Sequence, residues 1–248
     1  MSGSKRIFLT GASSGIGAAL ALEYAAPGVT LGLVARRAEL LAEVRAKAEA
    51  KGARVFVHVA DVTDRAAMQQ AAEAFLAEAG GADLVCANAG IGGDVSAAAI
   101  ERTADMARVV EVNLLGVVNT LSPFIPSMRA RRAGHLAATG SVAGFAGIPA
   151  GSYSASKAGV KTWIDTLRVY LGGEGIALTT VCPGFIATPM TQGQPFPMPF
   201  LIPAEKAARL IRGALDARKR TYIFPWPWRL VVPFMRLAPA WFLRRVAG

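Results

Sequence analysis

In Tyr153-Ser154-Ala155-Ser156-Lys157, a phenol and an ammonium stand four residues apart. On a helix that spacing puts both side chains on one face. A lysine charge favours tyrosinate and lowers a phenol pKa from about 10. Tyr153 could then give a proton to a developing alkoxide or take one from an alcohol. Ser141, twelve residues upstream and just past an apolar run, could hold the same substrate oxygen. Near the amino terminus, Thr10-Gly11-Ala12-Ser13-Ser14-Gly15-Ile16-Gly17 forms a TGxxxGxG turn that opens a helical segment. Its glycines allow a tight turn and let a pyrophosphate approach the backbone at a helix amino terminus, where free N–H groups and the dipole favour anions. A glycine-rich turn without a ligand is the competing reading, because such motifs recur by chance. The next apolar run ends Val34-Ala35-Arg36-Arg37. An acid at that point holds a ribose 2′-hydroxyl, whereas arginine suits a 2′-phosphate. Arg36 and Arg37 therefore favour NADP(H) over NAD(H), against the alternative of a solvated basic pair opening the next helix.

Elements of the right kind are present to position these groups. Strand-length apolar runs at 6–10, 29–35, 54–60, 83–87, 135–140, 176–182 and 221–224 alternate with helical segments at 15–26, 38–51, 65–79, 104–131, 152–171 and 203–217. The runs are nearly continuously apolar, as in strands covered on both faces. Alternation of this kind implies right-handed crossovers and an α/β fold: a Rossmann-type, doubly wound parallel sheet of about seven strands with helices on both faces. One domain is expected over 1–224, followed by an apolar, basic tail over 225–248. Ligands of such sheets bind beyond the carboxyl ends of the strands, which is where the motifs above fall.

Together these motifs resemble the short-chain dehydrogenase/reductase superfamily in its compact single-domain branch, over about residues 5 to 225. The resemblance implies that Gly11, Ser13, Ser14, Gly15, Ile16 and Gly17 bind the cofactor. It also implies that Asp61, followed by Val62, contacts the adenine ring. Asn88-Ala89-Gly90 matches the family's NNAG motif, with Ala87 in place of the first Asn. Asn113 matches the helix asparagine that holds a water in the proton relay. Pro183, Gly184, Ile186 and Thr188 fall in the segment that holds the nicotinamide carboxamide. The implied reaction is hydride transfer between nicotinamide and a carbonyl or alcohol carbon. Tyr153 would be the acid/base, Ser141 would orient the substrate oxygen, Lys157 would hold the nicotinamide ribose and lower the tyrosine pKa, and Asn113 would complete the relay to solvent. A nicotinamide-dinucleotide sensor or scaffold without turnover is the alternative function, opposed by the intact set of four residues.

The segment after Thr188 is the expected substrate lid; it carries Met190 and Phe196 and no charge up to Leu201. With no cation to clamp a phosphate or carboxylate, it suits a small apolar or lipid-like carbonyl compound or alcohol. Cys86 and Cys182 lie in apolar runs and read as buried free thiols of a reducing compartment. No Cys/His pair has metal-ligand spacing, so no metal is expected. The polar start at residues 1–5 has no signal-peptide core, and a cytoplasmic protein is expected. The formal net charge of +10 is concentrated at the end: seven cations and no acid follow Asp216, together with three of the four tryptophans. No nucleic-acid-binding motif accompanies that charge, and no nucleic-acid partner is expected. Pro233 and Pro239 should prevent one long helix. The tail is expected to dock peripherally on the inner face of a membrane, its rival use being a contact within a homo-oligomer, which the resemblance also implies.

Overall fold

The alternation of strand and helix is realised in the computed structural model, which describes residues 5–93, 101–148, 150–193 and 196–237. The strands are β1 (Lys5–Thr10), β2 (Val29–Ala35), β3 (Arg54–Val59), β4 (Leu84–Ala87), β5 (Gly134–Thr139), β6 (Ile176–Pro183), β7 (Ile186–Ala187), β8 (Ile202–Pro203) and β9 (Thr221–Phe224). Seven of them form a parallel sheet in the order β3-β2-β1-β4-β5-β6-β9, and β7 pairs with β8 apart from it. The order reverses between β1 and β4. That is the switch point at which chain crossovers diverge and a ligand crevice opens.

The register divides the core into two layers. Ile7 pairs with Leu31 on one side and Leu84 on the other. These face α1 (Gly15–Tyr24), α2 (Ala38–Glu49) and α8 (Ala204–Asp216), with Leu41 and Ile211 filling the layer. One residue on, Phe8 points to the opposite face, where α3 (Arg65–Ala79), α5 (Gly116–Leu121) and α7 (Tyr153–Leu171) cover Phe75, Leu121, Phe124 and Ile164. Phe8 pairs with Gly32. A Cβ there would lie 2.5 Å from the Phe75 ring, so the glycine gives its volume to the neighbouring aromatics. Cys86 and Cys182 are both buried free thiols, as expected, and burial pushes each up to about 12.

Three segments differ from the sequence expectation. The helix expected over 104–131 is divided into α4 (Thr103–Val110), a π-helical turn (Glu111–Leu115), α5, a 3-10 turn (Ser122–Phe124) and α6 (Ile125–Arg131). Pro123 and Pro126 lack the N–H that continuous helical bonding needs, which accounts for the tightening near 122–126. The two-residue strands β7 and β8 are too short to leave an alternating pattern. In the tail, α9 (Trp228–Leu237) runs through Pro233. That proline is on the exposed side, where water can meet the carbonyl it leaves unpaired. Pro239, Trp241, Arg244 and Arg245 lie outside the described residues.

His135 on β5 is buried, and its Nε2 meets the Thr179 hydroxyl at 2.8 Å, while that hydroxyl donates to the Lys219 carbonyl at 2.6 Å. The Thr179 proton is committed to Lys219, so Nε2 must carry the imidazole hydrogen. Burial, followed by the charges of Arg218 and Lys5, holds this histidine down at about 4. With the folded pKa below the unfolded value of about 6.5, the unfolded chain takes up the proton first. The stability contribution is therefore complete above about pH 6.5 and falls as the pH drops towards 4. Chemical denaturation across this window should show a loss of up to about 1.4 kcal/mol per pH unit from this group. His135→Gln, which can still donate to Thr179, should remove that component.

Candidate active site

Carboxyl ends of three neighbouring strands are tied together by side chains. The Thr10 hydroxyl at the end of β1 accepts from the backbone amides of Asn88 (3.2 Å) and Ala89 (3.3 Å). Asn88 Nδ2 donates to the Thr10 carbonyl at 3.3 Å, and its Oδ1 accepts from the Thr139 hydroxyl at 3.2 Å. The Thr139 carbonyl in turn accepts from Lys157 Nζ at 2.9 Å. The lysine of α7 is thus referenced to β1 through β4 and β5.

Asn113 falls inside the π-helical turn and is fully buried. A π-turn widens the helix by one residue and is common at functional sites. Asn113 Oδ1 accepts from the Ile91 amide at 2.8 Å, and its Nδ2 donates to the Ile91 carbonyl at 3.0 Å and to Ser156 Oγ at 3.2 Å. A Cβ on Gly90 would lie 3.0 Å from Asn113 Oδ1 and 3.4 Å from Lys157 Nζ, so both groups converge on that glycine.

Ser141 is buried and caps the 3-10 turn Val142–Phe145, its Oγ accepting from Ala143 N at 3.1 Å. Tyr153 opens α7, and its ring lies 5.8 Å from Lys157 Nζ. Desolvation raises the Tyr153 phenol, and the hydrogen bond with Ser141 lowers it only in part. Burial likewise brings Lys157, 4% exposed, down to about 8. The lowering expected from the lysine is outweighed here, because the enclosure that disfavours tyrosinate also disfavours the lysine cation.

The glycine turn fits a dinucleotide. A Cβ on Gly17 would lie 2.1 Å from the Gly11 carbonyl oxygen, and one on Gly11 (φ 68°) would lie 2.8 Å from Ala89 Cα. Ser14 makes no side-chain cap on α1, and the first turn of that helix carries no acid. The dipole end is therefore left for an anion. Ser13 and Ser14 line the turn, Ile16 packs on the core, and Gly15 faces the Thr188 methyl, with 3.1 Å between its Cβ position and Cγ2.

Arg37 donates to Ser13 Oγ at 3.1 Å and Ser14 Oγ at 2.6 Å, which places its guanidinium beside the turn. Arg36 reaches Asp61 at 3.4 Å from an exposed position. Burial would raise the Asp61 carboxyl, but hydrogen bonds from the Thr63 amide and hydroxyl and from Arg108 (2.9 Å) hold it at about 2. Val62 is buried against Gly116. Pro183 ends β6, Gly184 N donates to the Phe224 carbonyl at 2.8 Å, and Ile186 pairs with Ile202.

On the substrate side, Met190 lies over Gly92, with 3.5 Å between its Cγ and that residue's Cβ position, and Gly93 packs on Tyr153. Phe196 sits farther along, against Phe185 at 5.9 Å between ring centroids. Sequence reasoning did not reach Thr10 and Thr139 as tethers, Arg108 as the partner of Asp61, or Trp228. The Trp228 indole is buried against Gly184, whose Cβ position lies 2.0 Å from Nε1. Val142, next to Ser141, packs with Trp228 and Val232 of α9. Of these residues, only Thr10 carries a local sequence signal, as the first residue of the glycine motif.

This geometry is matched by known proteins. The family model described as short chain dehydrogenase matches residues 5–195. An uncharacterized oxidoreductase of Myxococcus xanthus (strain DK1622) is 40% identical over 228 residues, 91% of this chain and 88% of that protein. A short chain dehydrogenase/reductase from Burkholderia phymatum, solved in complex with NAD, is 28% identical with a TM-score of 0.83, covering 93% of this chain and 92% of that one. An alcohol dehydrogenase from Thermococcus sibiricus, complexed with 5-hydroxy-NADP, is 27% identical with a TM-score of 0.78, covering 89% and 90%. The chain belongs to the short-chain dehydrogenases. It is an oxidoreductase acting on CH–OH and C=O groups, in a family that binds NAD(P).

Gly17→Ala should fold but weaken dinucleotide binding by about tenfold or more, equivalent to at least ~1.4 kcal/mol. The added methyl must push α1 away from the Gly11 carbonyl. Isothermal calorimetry with NADPH and NADH, alongside circular dichroism as a folding control, checks this.

Proposed function

We propose that the protein is an NADP(H)-dependent reductase or dehydrogenase of small apolar or lipid-like carbonyl compounds and alcohols. The observation that carries this reading is the convergence of Asn113, Ser141, Tyr153 and Lys157 beyond the ends of β4 and β5, beside the glycine turn. When bound, the nicotinamide supplies the hydride chemistry. The chain holds the substrate oxygen and moves the proton. The Ser141 hydroxyl orients the oxygen toward the Tyr153 phenol, which donates its proton to a developing alkoxide or accepts one from an alcohol. Lys157, fixed by the Thr139 carbonyl, brings positive charge to the tyrosine and offers donors to a ribose. Asn113 grips the Ile91 backbone and reaches Ser156, which keeps the wall beside Gly90 and the lysine in place.

Cofactor preference rests on Ala35, Arg36 and Arg37. No acid stands at the end of β2 to hold a 2′-hydroxyl, while Arg37 lies beside Ser13 and Ser14 and the Arg36 guanidinium is exposed next to Asp61. A 2′-phosphate meets two guanidinium groups there, and Asp61 fits the adenine side. The apolar substrate class is supported by Met190 above Gly92 near Tyr153, and by the Phe196–Phe185–Trp228 aromatic series beside Val142.

Tyr153→Phe should lower kcat by on the order of 10²–10⁴-fold while NADPH affinity stays within a few-fold, because the shape remains and the proton is lost. Stopped-flow turnover with a panel of aldehydes and ketones, paired with NADPH titration, reads both; near-normal turnover overturns the mechanism. In the alcohol-oxidation direction the raised phenol makes the rate climb with alkaline pH, since the base form is the one required.

The double change Ala35→Asp with Arg36→Leu should shift the kcat/KM ratio toward NADH by about tenfold or more. Equal kcat/KM for NADPH and NADH in the unmodified chain would contradict the assignment.

A further inference from the structure

The tail helix α9 has two apolar faces, and among the described residues only one of them packs on the domain. Its inner face carries Trp228 and Val232, with Val231 and Met235 at the edges, against Val142, Phe145, Phe185 and Ile223. Its outer face carries Leu230 (61% exposed), Phe234 (75%) and Leu237 (85%), and Trp226 (67%) stands two residues before the helix. Spacings of four and three residues align the three helical side chains on one stripe. Phe200 and Leu201 of the lid are also about half exposed, and the Phe200 ring meets Trp228 edge-on at 6.1 Å, which joins lid and tail at the substrate side.

Charge identifies the occupant. From Pro225 onward the sequence carries Arg229, Arg236, Arg244 and Arg245 and no acid, whereas Arg218, Lys219 and Arg220 precede β9 and lie at its opposite end. Arg229 is held at the helix edge by its bond to the Ile223 carbonyl at 3.1 Å and lies 5.2 Å from the Tyr222 ring centroid. A second copy docking through the same face would bring identical cationic patches together, with no acid in that segment to pair them. An acidic macromolecule would answer the charge but leave the aromatic stripe in water. An anionic bilayer meets both needs: headgroups for the arginines, and the acyl boundary for Trp226, Leu230, Phe234 and Leu237. We propose that α9 lies in the surface of an anionic lipid bilayer, with its inner face against the Ser141 turn and the lid mouth turned toward the lipid. This goes beyond the redox reading and does not depend on it.

The test is co-sedimentation of the full chain with vesicles of phosphatidylcholine alone or with added phosphatidylglycerol, at low salt. Binding should be at least about tenfold stronger to the anionic vesicles and should weaken with added salt. Leu230→Glu with Phe234→Glu, both at exposed positions, should reduce it by about tenfold or more while turnover of a water-soluble carbonyl compound is unchanged. The composition series on the unmodified chain needs no variant to fold. The proposal is overturned by retention in the supernatant with anionic vesicles, by equal pelleting with neutral ones, or by a double variant that pellets like its parent. If retention is joined by a halved molar mass in the variant, the face belongs to a second copy. Because partitioning is read without turnover, its failure leaves the carbonyl–alcohol assignment standing.

Discussion

The clasp between Thr10 and Asn88 governs the arrangement around it. β1 and β4 are neighbours in the sheet, but their chains leave in opposite senses, and this divergence creates the crevice. Without a tie the two departing loops would splay. Thr10 prevents this with one hydroxyl that serves two amides and one carbonyl that serves the Asn88 side chain. The bonds continue through Thr139 to Lys157, so the floor under a dinucleotide and the lysine beside the tyrosine belong to one network. The Gly11 and Gly17 contacts then follow, since the turn must pass between Ala89 and the first turn of α1.

Enclosure has a cost at this site. A phenol and an ammonium that must exchange or stabilise charge are both placed where charge is disfavoured. The network offsets this by giving Lys157 a carbonyl and Tyr153 a hydroxyl partner, without restoring either to its solution behaviour. Asp61 shows the opposite balance. It is also partly withdrawn from water, yet Thr63 and Arg108 keep it anionic. Two outcomes at one crevice follow from how many donors face each group.

The seven-stranded sheet and the principal site residues were readable because each has a local signature: an apolar run, a glycine-spaced turn, or two reactive side chains one helical turn apart. What stayed hidden depends on residues far apart in the chain. Arg108 meets Asp61 across 47 positions, and nothing near either residue announces the other. The π-turn that aims Asn113 leaves the apolar periodicity of 104–131 almost unchanged, so a continuous helix was the natural reading. In the tail, the prolines argued against one long helix, and α9 still runs through Pro233. Burial of Trp228 and Val232 opposed that local preference, and Pro233 itself lies at an exposed position.

Gly184 and Trp228 come from opposite sides of the family boundary: the matched region closes at residue 195, before the tail begins. Yet the indole fills the space where any larger residue at 184 would put its first carbon. The tail is thus keyed to the part that the family model matches, like a wedge seated in a notch cut for it. A tail grafted from a relative, or a side chain introduced at the notch, would force the two parts to be redesigned together.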